Sequence, residues 1–392
     1  MSCGAGSCSV TGTLRDALRI ASRAACTRRV IEQLKLAVGG RRKISRGAGR
    51  GDEPCYYNYM ILLDRRLSVA PMMDWTDRHC RYLHRQFSPH ALLYTEMIVS
   101  AALVRGDAAR VLEHDAEEQP LALQLGGSDP LELAQAARIG AEAGYAEINL
   151  NVGCPSDRVQ KGAFGACLMA DAGRVAECVT SMRAAVDVPV TVKCRIGIDK
   201  NEDYDFFAAF AASMQDAGVA ALIVHARIAI LGGLSPKQNR EVPPLKYDYV
   251  HRLKSERPAL VVVLNGGLCD RTQVLAHLAE NLSGMPLDGI MLGRAAYHRP
   301  WLLAEVEQLL IDEHWQVPSL DTIIERMVRY ATREAARGVR LHSITRHMHG
   351  LIAGCDGARA WRRFLSEVAS RPDAPPETLY AALPMLTRRV AA

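Results

Sequence analysis

Cys154 sits in the run Asn151-Val152-Gly153-Cys154-Pro155, and that setting separates it from the other cysteines of the chain. Glycine and proline on either side favour a tight turn, which would hold the thiol at a surface rather than in packing. No Cys or His lies close by in sequence to complete a ligand set, and none of the 11 cysteines falls in a Cys-x-x-Cys pair, so no metal site is expected. A nucleophilic thiol needs an adjacent base. A general-acid thiol needs only to keep its proton, which suits a free cysteine of ordinary pKa, about 8.5. Cys167, Cys178, Cys194 and Cys269 read instead as small core residues.

A second group of residues suits a phosphorylated, planar ligand. Asn265-Gly266-Gly267 and Gly293-Arg294 offer glycines where backbone N–H groups can approach a phosphate, with Arg294 to clamp it. Lys193 and His225 follow apolar runs in the same way. A lysine in such a place is either salt-bridged or used; beside a flavin it can stabilise negative charge on the reduced ring. Gln124 could hydrogen-bond a ring edge, and Pro71-Met72-Met73 could form an apolar wall. Ordinary core packing is the other reading of Met72 and Met73.

These residues need a scaffold that brings them together. From residue 67 onward, short apolar β-rich runs alternate with helical stretches such as 131–143 and 171–186. The strands are expected at 67–71, 92–97, 121–126, 147–151, 190–195, 222–226, 260–265 and 289–293. Alternating βα units with unbroken apolar strands imply a buried parallel sheet. Eight units suggest an α/β fold, a (β/α)8 TIM barrel, with a doubly wound sheet as the alternative. The barrel places chemistry at the C-terminal ends of its strands, and Glu96, Gln124, Asn149, Asn151, Lys193, Arg195, His225, Asn265 and Arg294 all fall there. After Pro300 the β pattern stops, and helices are expected over 302–312, 320–337, 344–352 and 358–369, a smaller all-helical C-terminal domain.

Charge adds detail. The 392-residue chain carries a net +5, but residues 1–60 hold 11 Lys/Arg against 4 Asp/Glu, and the remainder holds 37 against 39. Overall basicity is therefore no argument for a nucleic-acid partner. Residues 321–392, with 12 Arg and 7 acids, are the better candidate for a phosphate-facing surface. Segment 1–59 is a basic extension, read as a disordered tail, as sequence upstream of a start at Met60, or as a transit peptide with a helix over 14–30. No run approaches the ~18 apolar residues of a membrane helix. Scattered free cysteines suggest a reducing, cytoplasmic setting.

The motifs are specific enough to carry a resemblance. Val69-Ala70-Pro71-Met72-Met73-Asp74-Trp75-Thr76-Asp77-Arg78, Tyr94-Thr95-Glu96-Met97, Gln124-Leu125-Gly126-Gly127-Ser128, the run from Glu147 through Asn151-Val152-Gly153-Cys154-Pro155-Ser156-Asp157-Arg158-Val159, and Gly165-Ala166-Cys167-Leu168-Met169 resemble the tRNA-dihydrouridine synthases. Leu234-Ser235-Pro236-Lys237-Gln238-Asn239-Arg240-Glu241-Val242-Pro243-Pro244-Leu245 and Gly357-Ala358-Arg359-Ala360-Trp361-Arg362-Arg363 resemble the bacterial A-type subfamily, which acts on uridines 20 and 20a of the tRNA D-loop. The resemblance spans about residues 60–370.

The resemblance implies an FMN-binding barrel over 60–301, a helical tRNA-binding domain over 302–392, NADPH as electron donor and tRNA as partner; a monomer is expected, though no residue pattern fixes the oligomeric state. It places FMN contacts on Pro71, Met72, Met73, Gln124, Lys193, His225, Asn265, Gly266, Gly267, Gly293 and Arg294. It makes Cys154 the proton donor to uracil C5, opposite a hydride delivered from FMN to C6. It places tRNA contacts on Asn151, Lys237, Gln238, Arg240, Arg359 and Arg362. A solvated helix face is the other reading of the arginines. Ile228 and Ile230 stand where the family often has a lysine and an aromatic residue, so that loop lacks the corresponding contact. Two rivals use the same residues: an FMN barrel reducing a free pyrimidine or other small molecule, and a non-catalytic tRNA-binding protein. The Arg-rich helices and the 237–240 loop argue against the first, and Cys154 with Lys193 against the second.

Overall fold

Eight strands appear where the apolar runs lie, and all pair in parallel. They are β1 (Leu67–Val69), β2 (Leu93–Val99), β3 (Leu121–Gly126), β4 (Glu147–Val152), β5 (Val190–Arg195), β6 (Leu222–His225), β7 (Val262–Asn265) and β8 (Gly289–Leu292). The computed structural model describes residues 63–156, 162–278 and 285–383. Segment 1–59, the helix expected over 14–30, and Asp157, Arg158 and Val159 lie outside the described residues. Neighbouring strands run in the order β1-β8-β7-β6-β5-β4-β3-β2. The two ends join through the parallel bridge Ser68↔Leu92, with Val69 N–H donating to Leu92 O and Leu92 N–H to Leu67 O, both at 3.0 Å. The sheet closes, so the chain is a (β/α)8 barrel and not a doubly wound sheet.

Strand limits follow local chemistry. β3 and β5 match expectation residue for residue. β1 ends at Val69, before Pro71, which has no N–H to donate. β2 continues to Val99, two residues further than expected, because its register against β3 shifts between Tyr94 and Met97. At that irregularity the Thr95 hydroxyl accepts the Gln124 N–H at 3.0 Å, in place of a strand carbonyl.

The helices on the barrel are α1 (Arg78–Arg85), α2 (Ser100–Arg105), α3 (Ala108–Val111), α4 (Pro130–Glu142), α5 (Ala172–Ala185), α6 (Tyr204–Asp216), α7 (Tyr247–Glu256), α8 (Arg271–Leu278) and α9 (Arg294–His298). Asp77, Asp129, Asp171 and Asp203 cap α1, α4, α5 and α6 by accepting first-turn N–H groups. The C-terminal region follows as α10 (Trp301–Leu310), α11 (Leu320–Ala335), α12 (Leu341–Thr345) and α13 (Ala358–Glu367). The single helix expected over 344–352 is instead α12, a break, and a 3-10 turn at Met348–Gly350. Gly350 explains the break: a Cβ there would lie 2.7 Å from the carbonyl oxygens of Tyr297 and His298, so the chain must turn against α9.

The described residues fall in one compact unit. Tyr330 of α11 stacks on Tyr82 of α1 with centroids 3.9 Å apart, and its hydroxyl meets His79 Nδ1 at 2.7 Å. Trp301 Nε1 donates to Leu351 O at 2.6 Å. Among the described residues no helix is long and apolar enough to cross a membrane.

Burial at this seam sets an acid limit on stability. Desolvation pushes His79 down to about 4 and His84 down to about 3. The folded state therefore favours the neutral rings, and the unfolded chain binds protons first as pH falls below about 6.5. Each group should cost about 2 kcal/mol of stability by pH 5. Urea unfolding should show a clearly lower midpoint at pH 5 than at pH 7; equal midpoints would contradict the account.

Candidate active site

One cavity of about 490 Å³ opens at the C-terminal ends of the strands. Cys154, Asn151 and Arg240 line it, together with all eleven residues expected to contact a planar phosphorylated ligand. A wider, shallower hollow of about 760 Å³ lies between α5 and α6, lined largely by small side chains, away from the strand ends.

The Cys154 turn is built by neighbouring side chains more than by its glycine. Asn151 Oδ1 accepts both the Gly153 and the Cys154 N–H at 3.0 Å. Arg195 Nε donates to Gly153 O at 3.1 Å, and Ala166 N–H to Cys154 O at 2.9 Å. Gly153 does not adopt a positive φ. The thiol is half-buried and lies 3.4 Å from Ser156 Oγ, to which it donates. No imidazole or carboxylate is hydrogen-bonded to it among the described residues, so it lacks the base that a nucleophile needs.

The neighbouring strand ends carry cations. Lys193 Nζ donates to Asn265 Oδ1 at 3.1 Å, and Asn265 Nδ2 donates to Met291 O at 2.8 Å. Burial, then the nearby Arg195, lowers Lys193 to about 8, which leaves it mostly protonated at neutral pH. Burial beside Arg195 and Lys193 pushes His225 well below its ordinary value, so it is a neutral ring. Gly266 has φ 112°, and a Cβ there would meet His225 Cδ2 at 2.6 Å, so only glycine fits. Arg294 Nη1 pairs with Glu241 Oε1 at 2.6 Å.

The remaining wall is the β1–α1 loop. Met72 is half-buried and Met73 is 54% exposed, so neither packs in the core. Asp74 has φ 64°, an uncommon conformation for a residue with a side chain, held by its N–H on Glu96 and by Arg346 Nη1 on its carbonyl at 2.9 Å. Trp75 stacks on Tyr297 with centroids 4.3 Å apart. Burial raises the Asp77 carboxyl, but hydrogen bonds and charge from His347, the Cys80 amide and Arg346 outweigh it and hold the group far below the usual range.

The residues expected to face RNA are spread more widely. Lys237 and Gln238 are exposed and do not line the cavity, while Arg240 does. Between them Asn239 is fully buried, and its amide bonds the Ile230 N–H and the carbonyls of Ile230 and Leu234 at 2.8–3.1 Å. Arg195 Nη1 reaches Ile228 O at 3.3 Å and Asn239 O at 3.0 Å. The Ile228 side chain is buried and that of Ile230 half-buried, so both serve this packed loop. Arg359 and Arg362 are exposed on α13, whose Trp361, Phe364 and Leu365 are buried. Neither arginine forms an ion pair among the described residues, whereas Arg363 pairs with Glu367 at 2.9 Å.

Arg195 stands out in the sequence only as an unusual charge at a strand end. Its three carbonyl contacts tie the Cys154 turn to the β6 loop and to Asn239. Asn239 and Ser156 lie within the sequence motifs and Arg346 outside them, but the roles of all three depend on partners brought near only by the fold.

The chain is a (β/α)8 barrel with a cavity at its strand ends, the place where barrels of this class carry their active sites. Residues 68–385 match the family model described as Dihydrouridine synthase (Dus). The chain is 53% identical over 309 residues to the tRNA-dihydrouridine(20/20a) synthase of Shewanella oneidensis, covering 79% of this chain and 90% of that protein. It is 53% identical over 318 residues to the protein of that name from Xanthomonas axonopodis pv. citri (81% and 93% covered) and 50% identical over 318 residues to that from Pasteurella multocida (81% and 95%). The chain belongs to the dihydrouridine synthase family and is an oxidoreductase.

The seam beneath the cavity wall has a measurable weight. Asp77→Ala removes the cap of α1 and leaves Arg346 and His347 without their shared carboxylate. It should cost about 3 kcal/mol in urea unfolding. A loss under about 0.5 kcal/mol would show that this cluster does not hold the seam.

Proposed function

We propose that this enzyme reduces uridine to 5,6-dihydrouridine in the D-loop of tRNA, at positions 20 and 20a, with FMN as bound cofactor and NADPH as electron donor. The observation that carries the reading is that the Cys154 turn and the Lys193–Arg294 side line one cavity. The three relatives, at 50–53% identity over about four-fifths of the chain, support the substrate and its positions.

The residues present suit FMN. The volume lies within the ~300–1,000 Å³ of small-ligand sites. Pro71, Met72 and Met73 would border a flat ring, with Gln124 at its edge; Lys193 and His225 would flank it. Asn265, Gly266, Gly267, Gly293 and Arg294 would take the phosphate end. When bound and reduced by NADPH, FMN supplies the hydride that adds to uracil C6.

The chain's own residues do the rest. Cys154 gives its proton to uracil C5, completing reduction of the C5–C6 double bond, and the thiolate regains a proton from solvent at the open rim. Lys193, still mostly cationic at its lowered pKa of about 8, opposes negative charge across the cavity. The target base must leave its stack in folded tRNA to enter. Asn151 and Arg240, which line the cavity, would meet it, and the exposed Lys237, Gln238, Arg359 and Arg362 would bind the RNA beyond the rim. Residues 302–392 act as the tRNA-binding domain of a monomer, and 60–301 as the FMN-binding barrel.

Dihydrouridine mapped position by position in tRNA from cells with and without the gene should disappear at 20 and 20a alone. Loss elsewhere, or none, overturns the positions. Purified enzyme with NADPH should reduce tRNA far more efficiently than free uridine; comparable turnover of uridine would favour a small-molecule reductase. Lys193→Ala and Arg294→Ala should each weaken FMN retention by about tenfold, read as flavin released on dialysis.

A further inference from the structure

The Asn151 carbonyl that holds the Cys154 turn is the last member of a hydrogen-bonded chain that starts at the other end of the barrel. Glu147, the first residue of β4, is fully buried and does not line the cavity. Four donors converge on its carboxylate. Arg65 Nε and Nη2 reach Oε2 at 3.0 and 2.6 Å, while the Tyr94 hydroxyl and Thr191 Oγ1 reach Oε1 at 2.5 and 2.6 Å. Asn149 Nδ2 then donates to Thr191 Oγ1 at 2.9 Å. Gln124 Nε2 donates to Asn149 Oδ1 at 2.8 Å, and Asn151 Nδ2 donates to Gln124 Oε1 at 2.9 Å. Gly153 and Cys154 N–H close the chain on Asn151 Oδ1. Gln124, Asn149 and Thr191 are register partners across β3, β4 and β5.

This chain has a direction, and its two ends fix it. A carboxylate with four donors on it only accepts, and a backbone N–H only donates. Between them Thr191, Asn149 and Gln124 each give one hydrogen bond and take one, and Asn151 gives one and takes two. Reversing any amide would set donor against donor or acceptor against acceptor, in an interior where an unmade hydrogen bond is costly. All four intermediate side chains are buried.

We propose that Glu147 is a positioning residue for the proton donor: from the floor of the barrel it sets the orientation of Thr191, Asn149, Gln124 and Asn151, and so the turn that presents Cys154. The inference rests on the reading of Cys154 as the donor. Thr191 is the link that can be cut while Arg65 and Tyr94 still donate to the Glu147 carboxylate.

The test uses Thr191→Val, which keeps shape and removes the hydroxyl, and Thr191→Ser, which restores it. Iodoacetamide labelling of Cys154 is compared with that of exposed Cys355 in the same protein by peptide mass spectrometry, a readout that needs neither flavin turnover nor tRNA. In Thr191→Val the turn loosens, and the Cys154/Cys355 labelling ratio should rise about fivefold, with wild-type ratios in Thr191→Ser. kcat on tRNA should fall about tenfold, with KM for tRNA within about twofold. Glu147→Gln should move the ratio in the same direction and serves if Thr191→Val does not fold. A wild-type ratio in the folded variants, or an equal change in Thr191→Ser, overturns the proposal. A raised ratio in a protein whose wild type reduces no tRNA supports the chain and overturns the donor reading instead.

Discussion

Closure of eight parallel strands is the constraint on which everything else in this molecule rests. In a closed parallel barrel every strand ends on the same rim, so Gln124, Asn151, Lys193, His225 and Asn265, spread over five strands and 142 positions of sequence, meet in one cavity. The join is narrow, a bridge at Ser68 and Leu92 supported by two backbone hydrogen bonds. Next to it lie the β2 irregularity, which directs the Thr95 hydroxyl to the Gln124 amide, and the loop that carries Met72 and Met73. The ring closes where one wall of the site begins.

Polar side chains divide the interior into two tasks. One set, from Glu147 through Thr191, Asn149 and Gln124 to Asn151, is joined by hydrogen bonds from the barrel interior to the cavity, and its last member holds the turn that carries Cys154. The other set, Lys193 and Arg294 with the neutral ring of His225 between them in sequence, faces the cavity, and its two cations give the cavity its charge. Arg195 joins the two: a guanidinium that burial lowers to about 9 and that collects carbonyls from the Cys154 turn, the β6 loop and Asn239. The loop bearing Lys237, Gln238 and Arg240 is therefore tied to the cysteine turn by a shared cation. The helical region is tied to the cavity in a similar way, through Arg346 on the Asp74 carbonyl and on Asp77.

Much of this was legible from residue types and spacing. Unbroken apolar runs gave strand positions within a few residues because parallel strands are buried on both faces. Polar residues at their ends marked the rim, since charge is rare there without a partner or a use. Elements shaped by distant contacts were less legible. The helix expected over 344–352 is broken by the approach of Gly350 to α9, which no local pattern encodes. The extension of β2 depends on a side-chain substitute for a backbone acceptor. Asn239 reads locally as a loop residue, yet it is the buried staple of that loop. Ile228 and Ile230, legible as departures from a familiar pattern, gain a packing explanation only from the fold.

The central claim is that Cys154 delivers the proton and nothing else. Purified Cys154→Ala protein separates the two halves of the reaction directly. Mixed with NADPH under anaerobic conditions, it should lose its flavin absorbance at the wild-type rate. On addition of tRNA, dihydrouridine should then form about 10²–10⁴ times more slowly than in the wild type. Wild-type rates in both halves would show that the proton comes from elsewhere and would contradict the account.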